Sequence, residues 1–171
     1  MRARSLSLIA ALLLFAGCQY DSPLTEEHSI PIDPALLGVW EEMPDDGDSP
    51  GEAARMIVLK FSETEYLVHY PVGKDGGYYR AYSFSLGGLD GVQLEVVGSE
   101  NGPIDSTEED LFLVASYSII NGELEVKLLN GELVDDVLTG SEAIREAFLK
   151  NKDSKDLFTD PGKFRRVEKQ D

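Results

Sequence analysis

Apolar and polar residues alternate along most of the chain after Leu36. A period of two is typical of β-strands that bury one face. The alternation is clearest over residues 57–61, 66–70, 78–86 and 92–96, with turn-rich Gly stretches at 73–77 and 87–91. Short strands separated by turn signals predict an antiparallel sandwich or barrel.

One hairpin can be placed to the residue. Asn121-Gly122 favours a type I′ turn in a two-residue loop, which sets Tyr117 opposite Val126. The apolar side chains then share one face: Leu113, Ala115, Tyr117, Ile119, Leu124, Val126 and Leu128. Since a shift of one residue would bury acidic side chains instead, turn and pattern predict the same register.

A helix is predicted after these strands. Thr139 to Glu142 fits a capping box with Thr139 as the N-cap, and the helix should end near Asn151. Its apolar face comprises Ile144, Ala147 and Phe148. Asp160-Pro161-Gly162 then predicts a turn, and residues 164–167 a last strand. The pattern therefore predicts a mainly β domain with one helix near the C-terminus.

The N-terminus follows a different pattern. Arg2 and Arg4 precede an apolar run, interrupted by Ser7, over residues 6–16. A membrane-spanning helix needs about 20 apolar residues, so this run is too short to span. A basic start, a short apolar middle and small residues at the end are typical of a secretory signal.

The end of the run resembles the lipobox of bacterial lipoproteins: Ala16 and Gly17 directly precede Cys18, the only cysteine. The resemblance implies that the Cys18 thiol carries a diacylglyceryl group and that the chain is cut before it. Gln19, where an Asp would favour the inner membrane, implies an outer-membrane lipoprotein whose domain faces the periplasm. An ordinary signal peptide followed by a free thiol is the alternative.

These features divide the chain into three parts. Residues 1–17 are the predicted signal peptide and residues 18–35 the lipidated cysteine with a flexible tether. The tether is polar and contains Pro23, Pro31 and Pro34, which favour an extended linker. Residues 36–171 are predicted to form a single β-rich domain of ordinary size.

Charge excludes one class of partner. The chain has 15 basic and 32 acidic residues and a net charge of −17. Loss of Arg2 and Arg4 with the signal peptide would leave 13 basic residues against the same 32. Nucleic-acid binding needs a basic surface, so it is not expected. A strongly acidic surface instead favours a cationic partner.

Gly38-Val39-Trp40 opens the first predicted strand, and Arg165-Arg166 lies in the last. This arrangement resembles lipocalin-like barrels. The resemblance implies that Gly38 and Trp40 help to close one end of an antiparallel barrel. It also implies that Arg165 or Arg166 stacks on the indole, a contact worth roughly 0.5–2 kcal/mol. A β-sandwich is the alternative fold.

The sequence contains no recognisable catalytic motif. The sequence has no His cluster for zinc, no Gly-x-Ser-x-Gly and no phosphate loop, so we expect neither an enzyme nor a bound metal or cofactor. One hypothesis is a barrel that binds a small apolar ligand, the other an interaction protein that presents its acidic surface to a cationic envelope partner. The predicted ligand wall, for which plain core is the alternative, is Tyr78, Tyr82, Phe84, Leu94, Phe112 and Tyr117.

Overall fold

A computed structural model describes residues 19–44, 53–73, 76–104 and 111–168. The predicted signal peptide and Cys18 lie outside the described residues. In chain order the elements are β1 (Gly38–Glu42), β2 (Arg55–Lys60), β3 (Glu65–Tyr70), β4 (Gly77–Leu86), β5 (Leu89–Ser99), β6 (Gly102–Pro103), β7 (Phe112–Ile120), β8 (Glu123–Leu129), α1 (Ser141–Asn151) and β9 (Phe158–Arg166). A 3₁₀ turn, Pro34–Leu36, precedes β1.

Eight of these strands close into an antiparallel barrel. Their order around the barrel is β4-β3-β2-β1-β9-β8-β7-β5, and the pairing of β5 with β4 closes the ring. The two-residue strand β6 pairs with β5 at the margin of the sheet. The structure thus confirms a lipocalin-like barrel with one helix near the C-terminus, and the alternative of a sandwich is wrong.

The β7–β8 hairpin has the predicted register. Tyr117 pairs with Val126, and Ile120 pairs with Glu123 across the turn. Asn121 and Gly122 have φ angles of 54° and 83°, and a type I′ turn requires positive φ at both central residues. The local turn and the long-range alternation of the two strands therefore agree.

The barrel interior is filled by one apolar cluster to which every strand of the ring contributes. Its buried members are Leu36, Trp40, Met56, Val58, Tyr66, Val68, Tyr70, Tyr79, Ala81, Leu94, Leu113, Ala115, Leu124, Leu128 and Phe164. In β7, Leu113 and Ala115 belong to it, whereas Val114 between them points outward. The period of two thus separates an inner face from an outer one.

A second apolar cluster covers part of the outer surface of the barrel. Ile144 and Phe148 of α1 are fully buried in it, and the Phe148 ring meets Phe84 of β4 edge to face with 6.0 Å between ring centroids. The cluster also contains Tyr20, Leu24, Val114, Leu129, Val134 and Leu157. The helix therefore packs outside the barrel, on the predicted apolar face.

Two local predictions are wrong. The helix N-cap is Gly140 rather than Thr139 and has no side-chain cap; the Gly140 N–H donates to Asp21 Oδ1 at 3.3 Å. The N–H of the N-cap, which an N3 side chain accepts from in a capping box, is thus satisfied by a residue distant in sequence. Asp160-Pro161-Gly162 lies within β9, where the register with β8 shifts between Val126 and Leu128. The motif therefore makes an irregularity inside the strand instead of a turn before it.

The segment predicted as a flexible tether packs against the barrel. Tyr20 and Leu24 have no exposed surface, and the main chain of Tyr20 pairs with Phe112 through two hydrogen bonds of 2.8 and 3.0 Å. Further along, the Ile32 N–H donates to the Glu63 carbonyl. Residues 20–33, here called the N-terminal strap, are therefore part of the folded domain. The described residues include no helix that is both long and apolar enough to cross a membrane.

Candidate functional site

Trp40 holds one end of the barrel together. Its side chain is fully buried, and Nε1 donates to the Leu36 carbonyl at 2.8 Å. The Arg166 guanidinium lies over the indole, 4.4 Å from the ring centroid. Arg166 also donates to the carbonyls of Leu37, at 2.7 Å, and Ala35. Strands β1 and β9 and the 3₁₀ turn thus meet around one aromatic ring.

Gly38 makes room for this stack. Its φ of 139° lies where L side chains are rarely found, and a Cβ at this position would sit 2.7 Å from Arg166 Nη1. Arg165, the other candidate for the stack, points to Glu41 and donates to its Oε1 at 2.6 Å. The sequence predicted that either Arg165 or Arg166 stacks on Trp40, and the structure shows that it is Arg166.

Gln93 fixes the middle of the strap. It lies on the outer face of β5 and has no exposed surface. Its Oε1 accepts from the N–H groups of Leu24, at 2.6 Å, and Thr25, at 3.2 Å. Its Nε2 donates to the Thr25 carbonyl and to the Tyr82 hydroxyl, which itself donates to the same carbonyl. One side chain thus satisfies the polar groups of a strap segment that lies against the sheet.

A second attachment lies at His28. Its ring stacks on Tyr82 with 3.7 Å between centroids, and Nδ1 lies 2.6 Å from Glu65 Oε1. Arg80 contacts the same carboxylate at 2.5 Å. Burial acts to raise the pKa of Glu65, but the hydrogen bonds from Arg80 and His28 outweigh it and hold that pKa below its ordinary value of 4.5. His28 is therefore a structural contact of the strap.

The strap forms one wall of a cleft of about 430 Å³ beside the 3₁₀ turn. The cleft is lined by Ile30, Pro31 and Asp33 from the strap and by Ser83, Phe84, Asp90, Gly91 and Tyr117 from the barrel. Ser83 and Asp90 are on facing strands near the β4–β5 turn. Position 91 has no room for a side chain, since a Cβ there would lie 2.5 Å from Phe84 Cζ.

The cleft combines apolar walls with carboxylates and phenols. Burial, together with Tyr66, Asp33 and Asp90 nearby, raises the pKa of Tyr117 to about 12, so its hydroxyl stays neutral at physiological pH. The Tyr66 hydroxyl accepts from the Asp33 N–H at 2.5 Å, and burial raises its pKa as well. Among the described lining residues there is no lysine or arginine to offset Asp33 and Asp90. The cleft is therefore suited to an apolar group that carries a positive charge.

The six residues of the predicted ligand wall do not form one surface. Leu94 and Tyr117 belong to the interior cluster. Phe84 and Phe112 pack in the outer cluster, Tyr82 contacts the strap, and Tyr78 stacks on His69 at 4.2 Å. The apolar outer face of β4 is covered by α1 and the strap, whereas Ala81 faces the interior. Phe84 and Tyr117 are the two members of the set that the cleft brings together.

Asp33, Ser83 and Asp90 are cleft residues that sequence reasoning missed. Asp90 follows two glycines and Leu89, and Asp33 lies between prolines, so both look like ordinary turn or linker residues. Their proximity depends on the path of the strap, which no local pattern encodes. Within the described ranges, no three His, Cys, Asp or Glu side chains are grouped closely enough to hold a metal ion.

Comparison of the chain with protein-family models, with curated protein sequences and with solved structures finds no match.

Proposed function

We propose that this protein is a lipid-anchored, non-enzymatic protein of the bacterial envelope that binds a small ligand in the cleft between strap and barrel. The observation that carries the proposal is the cleft itself, in which Tyr117 and Phe84 stand beside Asp33 and Asp90. The ligand has an apolar body, as expected for a barrel of this kind, and a cationic group. No cofactor is required.

The anchor is the acylated Cys18 thiol. It is supported by the short apolar run, which ends in Ala16-Gly17-Cys18. Two or more acyl chains hold a protein firmly to a bilayer, whereas one holds it only marginally. We place the anchored protein in the outer membrane, facing the periplasm, because Gln19 follows the cysteine.

Cys18→Ser is expected to release the protein from the membrane fraction, because the serine hydroxyl does not receive the diacylglyceryl group. Fractionation and intact mass measure this, and the variant should lack the acyl increment of the wild type. Gln19→Ser, which keeps the thiol, serves as the control and should stay anchored. A Cys18→Ser protein that is still membrane-bound would show that the apolar run itself acts as the anchor.

The cleft is tested with two amphiphiles of equal chain length and opposite charge, octylamine and octanoate, by titration calorimetry. Octylamine should bind and octanoate should not. Asp90→Asn should weaken octylamine binding about fivefold, or roughly 1 kcal/mol, because it removes a partly solvated charge partner. Asp136→Asn, which changes the net charge equally but lies outside the cleft, should have no effect. Equal binding by both variants would exclude the cleft as the site.

A second candidate function is contact with an envelope protein. It is favoured by Leu59 and Phe61 beside the outer face of β2, which are 52% and 59% exposed. Exposed apolar groups rimmed by charge often mark protein contacts. The acidic surface around the rest of the molecule would then attract a cationic partner. Failure of the amphiphile titration would make this candidate the stronger one.

A further inference from the structure

The strap begins at the end of the barrel formed by the start of β7, at Phe112, and by the loop of residues 130–140, and this end is here called the rim. Tyr20 continues the sheet beside the first residue of β7, through its two main-chain bonds to Phe112. Its ring is fully buried, and its hydroxyl donates to the Val134 carbonyl at 2.7 Å. Four residues further along the chain, the Leu24 N–H donates to Gln93 Oε1. Nothing in this geometry leaves the strap free to act as a long tether.

Cys18 is two residues before Tyr20. Successive Cα atoms are about 3.8 Å apart, so the Cα of Cys18 lies within about 8 Å of the Cα of Tyr20. If Cys18 carries the acyl chains, the rim around Tyr20 must therefore reach the headgroups of the bilayer. An extended tether of residues 18–35 would instead allow tens of ångströms of separation.

The rim beside Tyr20 also carries an exposed apolar side chain. Residues 130–140 connect β8 to α1 and contact the strap through Val134 and through the Gly140–Asp21 bond. In this loop Val137 is 76% exposed, more than any other large apolar side chain of the described residues. Its N–H donates to Asp135 Oδ1 at 3.1 Å, which holds the loop in a turn. A valine in this position would otherwise lie in water.

We propose that the barrel rests directly on the membrane through this rim, with Val137 in the interfacial region of the bilayer. This inference depends on the proposed anchoring at Cys18. Glu132, Asp135 and Asp136 share the loop, and their carboxylates would be repelled by anionic lipids, so the lipid surface that fits is zwitterionic. Burial of one apolar side chain at the interface adds to the acyl anchor without replacing it.

The proposed contact of the rim with the bilayer also determines which way the cleft opens. The strap runs from Tyr20, beside Phe112 at the start of β7, to the 3₁₀ turn whose Leu36 carbonyl bonds to Trp40. Tyr117 is five residues further along β7, and the cleft lies toward the end of the barrel away from the rim. A protein seated on its rim therefore opens the cleft to the aqueous side.

The test uses new thiols in the full-length protein, expressed with its signal peptide. Val137→Cys, Leu59→Cys and Ile120→Cys are each exposed positions, and each introduces one thiol beside Cys18. Leu59 is on β2, four strands around the ring from β7, and Ile120 is at the far end of β7. Each variant is labelled with an environment-sensitive fluorophore and placed in phosphatidylcholine vesicles containing a quencher on the lipid chains.

The label at position 137 should lose about half of its fluorescence to the lipid-borne quencher, because it lies within 5–10 Å of the acyl boundary. Labels at 59 and 120 should lose little. An unquenched label at 137 in a vesicle-bound protein would contradict the proposed contact of the rim with the bilayer, but not the anchor at Cys18. Quenching at 59 instead would show that the strap detaches and the barrel lies on its opposite side. If the wild type itself takes up a label, Cys18 is free, and the anchoring proposal falls together with this inference.

Discussion

Replacing Trp40 with alanine is expected to lower the free energy of unfolding by about 3–5 kcal/mol, the usual cost of removing a large buried aromatic. The side chain is fully buried and joins the interior cluster to the 3₁₀ turn through its bond to the Leu36 carbonyl. Domains are stable by only about 5–15 kcal/mol, so this variant should unfold at much lower temperature and denaturant concentration. Circular dichroism in urea measures the change.

The two neighbouring arginines supply a matched pair for the same experiment. Arg166→Ala removes the stack on Trp40 and two bonds to carbonyls, and we expect a loss of about 1–2 kcal/mol. Arg165→Ala removes an exposed ion pair with Glu41, which should cost less than about 1 kcal/mol. If the two arginine variants were equally stable, or if Trp40→Ala unfolded like the wild type, Trp40 would not be the closure of the barrel.

The parts of the fold that were predictable are those in which local and long-range signals coincide. The Asn121-Gly122 turn sets the register of β7 and β8, and the alternation along both strands selects the same register independently. Trp40 and Arg166 illustrate a different route, since the stack was expected from family resemblance and not from any local preference. The closed ring was likewise expected from that resemblance, because alternating strands with turns between them fit a sandwich as well as a barrel.

The direction of each strand face was not predictable in the same way. A period of two shows which residues share a face, but not whether that face points into the barrel or out of it. In β4 the aromatic Tyr82 and Phe84 point outward, because α1 and the strap supply a second apolar layer. The ligand wall proposed from sequence therefore combined residues from opposite faces of the sheet.

The strap was missed for a related reason. It is attached at isolated points, Tyr20, Leu24 and His28, which are four residues apart and separated by polar residues and Pro23. A spacing of four does not have the period of a strand, and although it would suit one face of a helix, Pro23 and the polar residues around it disfavour a helix. The segment therefore resembles a linker. The side chain that receives the strap, Gln93, lies among alternating residues of β5 and gives no sign of its partners.

Gln93→Leu is the second change with a large expected effect. Leucine fits the volume of the site but removes the acceptor of the buried Leu24 N–H and of the partly buried Thr25 N–H. An unsatisfied buried group costs about 1–3 kcal/mol and a partly exposed one costs less, so we expect a loss of about 2–4 kcal/mol in the free energy of unfolding. Because the strap also forms a wall of the cleft, octylamine binding should weaken together with stability.

Hydrogen exchange distinguishes release of the strap from general destabilisation. In Gln93→Leu the amides of Leu24 and Thr25 should lose protection against exchange much more than the amide of Tyr117, which belongs to the β7–β8 hairpin. Tyr82→Phe is the graded control, because it removes one hydroxyl that donates to the Thr25 carbonyl and should cost about 1 kcal/mol. Unchanged protection of Leu24 in Gln93→Leu would mean that Tyr20 and His28 hold the strap without Gln93. If the strap of this variant also detaches at Tyr20, the label at position 137 should leave the lipid, because the rim proposed to contact the membrane is then no longer held close to Cys18.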